Sequence, residues 1–398
     1  TFSDSSLFQS PLNYEDVFDL AKNEGKSVML YFHFDQCGAC RQMERSTLVD
    51  QDVIDFFNEN FISYEINTRK GEGIEINETY KVRMHPAFIF LDPSGNELNK
   101  VIGKFTAEEF IAQAKNALDP QKTLEYFKNQ YSNGHRDADF LFDYCYRLKD
   151  ANELDSLLIN DYLRTQSEED LLEEKNIRFV YEFMIHKHQT CIDLEHIAYQ
   201  FMSENKKLFT PYFNLEQVNT RLFYVTSHYV SNASVHCSDE VFWKSLERLK
   251  EFDGKDYEFK EIWGGVTMWT TSKEHSLNKE ISYYKSKGDV LKYQGLTQKK
   301  INKIWDDTEA LNSFAWANYI YDEVDEFLLD KSLDCVVRSI ELNSNYNNTD
   351  TYAALLYKDK QYVEALVVAE RAVEIAKKDE RNCDETLSLI EKIKDQLE

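Results

Sequence analysis

Two cysteines two residues apart, Cys37 and Cys40, stand where the apolar run "SVMLYFHF" (27–34) gives way to the polar, helix-favouring "RQMERSTL" (41–48). Such a pair can cycle between dithiol and disulfide, or it can supply half of a thiolate metal site. The metal reading needs further ligands, and the chain has no second Cys-x-x-Cys and no suitably spaced Cys-His pair. The redox reading needs one sulfur activated as a thiolate. A cysteine just before a helix meets unpaired backbone N–H groups and the positive end of the helix dipole, and Cys37 has that place. Gly38 and Ala39 between the two are small and leave the tight turn free of clashes. Redox chemistry is therefore the expectation, with a structural or idle pair as the alternative.

A second feature points the same way. In "VRMHPAFIF" (82–90), His85 and Pro86 directly precede an apolar run. Proline can open a strand but breaks a ladder from inside it, and an X–Pro bond at this place is a cis candidate. The alternative is an ordinary trans proline ending a loop. His186, His188, Cys191 and His196 carry metal-ligand side chains, but on a helix their spacing shares no stripe, so surface and core roles are expected. The five cysteines Cys145, Cys191, Cys237, Cys335 and Cys383 lie dozens of residues apart. They read as small buried side chains, not as a disulfide framework.

The elements that must position the dithiol follow from local pattern. Asn13 and "YEDVFDLAKNEG" read as a capped helix stopped by Gly25, and residues 27–34 as a buried strand. Asp50 caps a helix over 51–60, "FISYEIN" (61–67) is a second strand, and 74–82 a short helix. "AFIFLD" and "ELNKVIGKF" form an antiparallel hairpin around "DPSG". Thr106 and Glu109 make a capping box that opens the helix over 107–118. Residues 1–118 thus read α-β-α-β-α-β-β-α, and from 121 to 398 strand signals disappear and an all-helical domain is expected. "SLDCVVRSIEL" (332–342) matches "ALVVAERAVEI" (365–375) at an offset of 33, the mark of stacked helical hairpins.

Composition bounds the partners. A net charge of −25 disfavours nucleic acid, and 1–118 alone holds 11 Lys+Arg against 19 Asp+Glu. No stretch reaches the roughly 18 apolar residues of a membrane span. The chain begins at Thr1 without an apolar leader, as after removal of an export signal.

With strand, Cys-x-x-Cys, helix and His-Pro-strand in place, residues 13–118 resemble the thioredoxin family, and most of all its exported bacterial branch, through "AKNEGKSVMLYFHFDQCGACRQME" and "DQDVIDFFNENFISYEIN". Residues of about 309–378 resemble tetratricopeptide repeats, with Ala354, Ala365 and Ala372 letting helices approach. The first resemblance implies an α/β thioredoxin fold in which Cys37 is the exposed nucleophile and Cys40 the buried resolving thiol. Pro86 would be a cis-proline wall, and the His85 backbone would pair with substrate. Thioredoxins carry tryptophan and proline where this chain has Gln36 and Ala39, and their buried acid falls on Tyr31 and the following lysine near Glu65. Tyr31 and Glu65 are therefore the expected places for a proton carrier. The implied activity is thiol-disulfide exchange on protein or peptide cysteines with a separate redox partner, without cofactor or metal, in the periplasm or another exported setting; the cytoplasm is the alternative. A different class, a helical-repeat adaptor with a redox-inactive thioredoxin-like domain, is also compatible with so helical a chain.

Overall fold

The structure, a computed structural model, describes residues 7–8, 13–185, 190–236, 238–252, 258–263, 266–320 and 325–398, with 235–236, 258–263 and 266–272 as backbone only. His186, His188, Cys237 and Tyr321 lie outside the described residues. The chain divides into two compact units, Thr1–Val225 and Thr226–Glu398. The expected division at 118–121 falls inside the first.

The first unit begins with α1 (Tyr14–Glu24), β1 (Ser27–His33), α2 (Gly38–Arg45), α3 (Gln51–Asn60), β2 (Phe61–Asn67), α4 (Gly73–Tyr80), β3 (Ala87–Leu91), β4 (Glu97–Ile102) and α5 (Ala107–Leu118). The sheet order is β2-β1-β3-β4, with β1 parallel to β2 and antiparallel to β3, and β4 antiparallel to β3. This mixed sheet between two helical layers is the thioredoxin fold. Its central strand is apolar on both faces because both are covered. Val28, Leu30 and Phe32 pack with Val17 and Ala21 of α1, while Met29 and Tyr31 pack on the opposite side with Phe57, Phe88 and Phe110.

Local chemistry sets the boundaries. Gly25 ends α1 in the left-handed region at φ 66°. The Asp50 carboxylate accepts from the backbone N–H groups of Asp52 and Val53, and Thr106 and Glu109 form the reciprocal capping box of α5. β4 stops at Ile102, short of the expected strand through Phe105, where the chain turns at Gly103 with φ 111°.

Helices α6 (Leu124–Ser132), α7 (Ala138–Asp150), α8 (Ser156–Arg164), α9 (Glu168–Leu171), α10 (Glu174–Met184), α11 (Ile197–Glu204) and α12 (Lys206–Phe209) complete this unit, and α13 (Leu215–His236) spans the division. They are fastened to the sheet. Lys100 of β4 pairs with Glu153 at 3.0 Å, and Gln113 of α5 donates to Asp150 at 2.6 Å. Two helices, α9 and α10, share residues 168–184, and Ser167 and Asp170 close a capping box around the one short turn of α9.

The second unit holds α14 (Asp239–Lys250), β5 (Glu258–Trp263), β6 (Val266–Thr271), α15 (Ser272–Ser286), α16 (Val290–Ile304), α17 (Thr308–Tyr319), α18 (Glu326–Asn343), α19 (Tyr346–Lys358), α20 (Tyr362–Lys378) and α21 (Asp384–Leu397). The antiparallel pair β5–β6 corrects the all-helical expectation for this half. Its cause is in the sequence: β-branched and aromatic residues flank Gly264-Gly265, a hairpin turn signal. α15 and α16 are separated where Gly288 adopts φ 70° and Asp289 caps α16. α17/α18 and α19/α20 are consecutive helical pairs, and Ala354, Ala365 and Ala372 are all buried. No helix among the described residues is long and apolar enough to cross a membrane.

Candidate functional site

The dithiol sits at the end of β1, where the chain must turn into α2. Cys37 is the N-cap of that helix, with extended backbone at φ −72° and ψ 105°. Its N–H donates to the Phe34 carbonyl at 3.0 Å, its carbonyl accepts from Arg41 at 3.1 Å, and its sulfur accepts from the Cys40 N–H at 3.1 Å. The two sulfurs are joined as a disulfide, with Cα atoms 5.2 Å apart. Cys37 is 6% exposed and Cys40 0%. Cys37 is the less buried of the two, and in the disulfide form even Cys37 is nearly covered. Gln36 and Gly38 are exposed and Ala39 half-buried. A Cβ built on Gly38 would meet nothing within 4 Å, so steric need does not explain that glycine.

The His85–Pro86 bond is cis, as the sequence suggests. Pro86 is buried, and its carbonyl accepts from Gly103 at 2.8 Å. The His85 ring meets the Phe34 ring edge-on at 5.2 Å, and its Nε2 is buried without a hydrogen bond. Burial first, then the charges of Arg69 and His33, push its pKa below the ordinary imidazole value. A cationic His85 that steadies a Cys37 thiolate is therefore disfavoured.

Tyr31 and Glu65 face each other across the β1–β2 ladder. Neither is built as the expected proton carrier. Tyr31 is fully buried, stacked on Phe88 and His33 at 5.0 Å each, and its hydroxyl donates to Glu44 Oε1 at 2.9 Å. Burial and the Glu44 carboxylate raise its pKa far above the usual phenol range, so it keeps its proton. Glu65 is exposed at the strand's polar end. The carboxylate at this place is Glu44, which the sequence reading missed. It stands one turn after Cys40 on α2 and lies 3.7 Å from His33 Nδ1. The signal was present as the i, i+4 spacing of Cys40 and Glu44, which puts both on one helix face.

Of the His/Cys group at 186–196, His186 and His188 lie outside the described residues, and among the described residues no His, Cys, Asp or Glu group is gathered as a metal site. His196 is buried, donates through Nε2 to the Ser156 carbonyl at 3.0 Å, and accepts at Nδ1 from Ala198 at 3.1 Å, so both nitrogens are used. Of the other cysteines, Cys145 and Cys335 are buried and Cys191 and Cys383 partly so; none of these four is in a disulfide.

A four-stranded mixed sheet, a disulfide at the start of the helix after its central strand, and a cis-proline beginning the antiparallel hairpin define a thioredoxin-like domain. Residues 14–118 match the family model described as a thioredoxin-like domain. The thiol:disulfide interchange protein DsbD of Pseudoalteromonas atlantica is 29% identical over 109 residues, covering 27% of this chain and 18% of that protein. DsbD of Colwellia psychrerythraea is 33% identical over 106 residues, covering 25% and 17%. Among solved structures, a thioredoxin from Thermus thermophilus aligns with TM-score 0.29 and 24% identity over 33% of this chain and 99% of its own. The chain thus spans less than a fifth of the length of these curated relatives.

Proposed function

We propose that the chain is a thiol-disulfide oxidoreductase acting on protein or peptide cysteines in an exported compartment. The observation that carries this reading is the covalent Cys37–Cys40 pair at the first turn of α2, with Cys37 the less buried of the two. The helix N-terminus favours negative charge on the Cys37 sulfur. As a thiolate it attacks a substrate disulfide, forming one S–S bond while the substrate's own breaks and its electron pair leaves on the departing sulfur. Cys40 then gives up its proton, attacks Cys37 and releases the second substrate sulfur. Glu44, held by Tyr31, is the carboxylate arranged to take that proton. His85, whose backbone makes no backbone hydrogen bond among the described residues, pairs with the incoming chain beside Pro86. A separate redox partner resets the pair.

The helical half serves in this reading as the partner-holding part. In the second unit a cleft of about 470 Å³, lined by Trp305, Val337, Arg338 and Tyr352 among others, supports that role. The adaptor reading, with an idle dithiol, rests on the same cleft.

Single-turnover exchange with a disulfide-bonded protein substrate separates the two readings. Cys37→Ser is expected to abolish exchange, and Cys40→Ser to accumulate a mixed disulfide at Cys37, seen as an intact-mass increase. Full exchange by Cys37→Ser would leave only the adaptor.

A further inference from the structure

The acidity of this chain is reversed around the dithiol. Cys37, Arg41 and Arg45 are spaced i, i+4, i+8, so two guanidinium groups follow the sulfur along one face of α2. Both arginines are exposed. Lys104 is drawn alongside the same helix, donating to Gln42 Oε1 at 2.8 Å, while the Phe105 N–H meets the Met43 sulfur at 3.3 Å. On the other side of Cys37 stands Phe34, whose carbonyl holds the Cys37 N–H, and the Arg69 guanidinium lies 3.8 Å from the centre of the Phe34 ring. Cations therefore stand on the helix that Cys37 opens and against the Phe34 ring whose backbone holds Cys37.

The acids nearby are already occupied. Asp35 is bound by Asn67 and Lys70, whose hydrogen bonds hold its carboxyl below the usual range, and Glu44 is bound by Tyr31 and approached by His33. Among the described residues, Arg41, Arg45, Arg69 and Lys104 have no carboxylate within ion-pair distance. Four exposed cations without acidic partners are a notable cluster in a domain where acids outnumber bases.

We propose that the mouth of the dithiol selects polypeptide disulfides whose cysteines are flanked by aspartate and glutamate. The selection rests on the exchange chemistry proposed above. It works through encounter: carboxylates beside the substrate sulfur are drawn to Arg41 and Arg69, while the rest of the acidic chain repels a poorly aligned acidic partner. A substrate flanked by lysine gains attraction from the chain at large but loses it at the site of reaction.

The test uses the reduced full-length chain and three disulfide-cyclised peptides that differ only in the residues flanking their cysteines, Asp/Glu, Ser or Lys. Single-turnover rates are read by mass spectrometry. At low salt the acidic peptide is expected to react about tenfold faster than the basic one, and the ratio to fall to about two or less at 1 M salt. The double charge reversal Arg41→Glu with Arg69→Glu is expected to invert the order at low salt. Reaction with the neutral peptide but equal rates for all three, or a preference that salt does not weaken, overturns this proposal and leaves the exchange reading standing. No reaction with any of the three, including the neutral peptide, overturns the exchange reading itself.

Discussion

Replacing Tyr31 by phenylalanine keeps the ring that stacks on Phe88, His33 and Phe8 and deletes only the hydroxyl that donates to Glu44. A hydrogen bond to a charged group contributes about 1.5–3 kcal/mol. Glu44 has 38% side-chain exposure, so water recovers part of that loss. The expected cost of Tyr31→Phe is then about 1 kcal/mol, against about 3–5 kcal/mol for Tyr31→Ala, which also opens a cavity. The assay must report the first unit alone. All five tryptophans lie between residues 243 and 316, so their fluorescence reads the second unit and serves as the internal control. Cys145, 1% exposed in α7, reads the first unit when its alkylation is pulsed along a urea series and followed by mass spectrometry. With a slope of about 2 kcal/mol per molar urea, Tyr31→Phe should lower the Cys145 midpoint by about 0.5 M and leave the tryptophan midpoint in place. In a double-mutant cycle with Glu44→Gln, the two losses should fall short of additive by about 0.5–1 kcal/mol. An unchanged midpoint together with strict additivity would falsify the coupling. A loss equal to that of Tyr31→Ala would make the hydroxyl, not the ring stack, the anchor of this face of the sheet.

Two further perturbations follow from the geometry. Burial, chiefly, holds His196 neutral in the folded chain, below an unfolded value of about 6.5; its stabilisation is complete above that pH and is lost as pH falls from the unfolded toward the folded value, because the unfolded imidazole takes the proton first. The Cys145 urea midpoint should therefore drop between pH 8 and pH 5.5, and His196→Asn, which can still cap α11, should drop less; equal losses count against the assignment. At Gly73 a Cβ would stand 2.2 Å from the Asn67 carbonyl oxygen, so Gly73→Ala must shift the loop that carries Arg69, at a cost of about 1–3 kcal/mol read as a lower Cys145 midpoint. No change in that midpoint would mean that the loop yields freely.

Short-range chemistry controls much of the thioredoxin-like part. The apolar run of β1, the N-caps at Asp50 and Thr106, the stop at Gly25, the place of Cys37 at a helix start and the proline before β3 are each set by a few neighbouring residues. Each was legible for that reason. The β5–β6 hairpin is equally local, since β-branched and aromatic residues stand on either side of Gly264-Gly265 in the sequence. Tertiary structure alone decided which carboxylate meets Tyr31. Glu65 is its ladder partner and Glu44 is thirteen residues away on a helix, yet Glu65 faces water and Glu44 receives the hydroxyl, because α2 packs across that face of the sheet. The state of His85 was decided the same way, by burial and by Arg69 arriving from the loop after β2. The cations around the sulfur come from α2, from the loop after β2 and from the turn after β4, segments separated by up to 63 positions between Arg41 and Lys104. A one-dimensional charge count records only acidity there, since it sums over the chain, whereas a field at one sulfur depends on which few charges the fold brings near it.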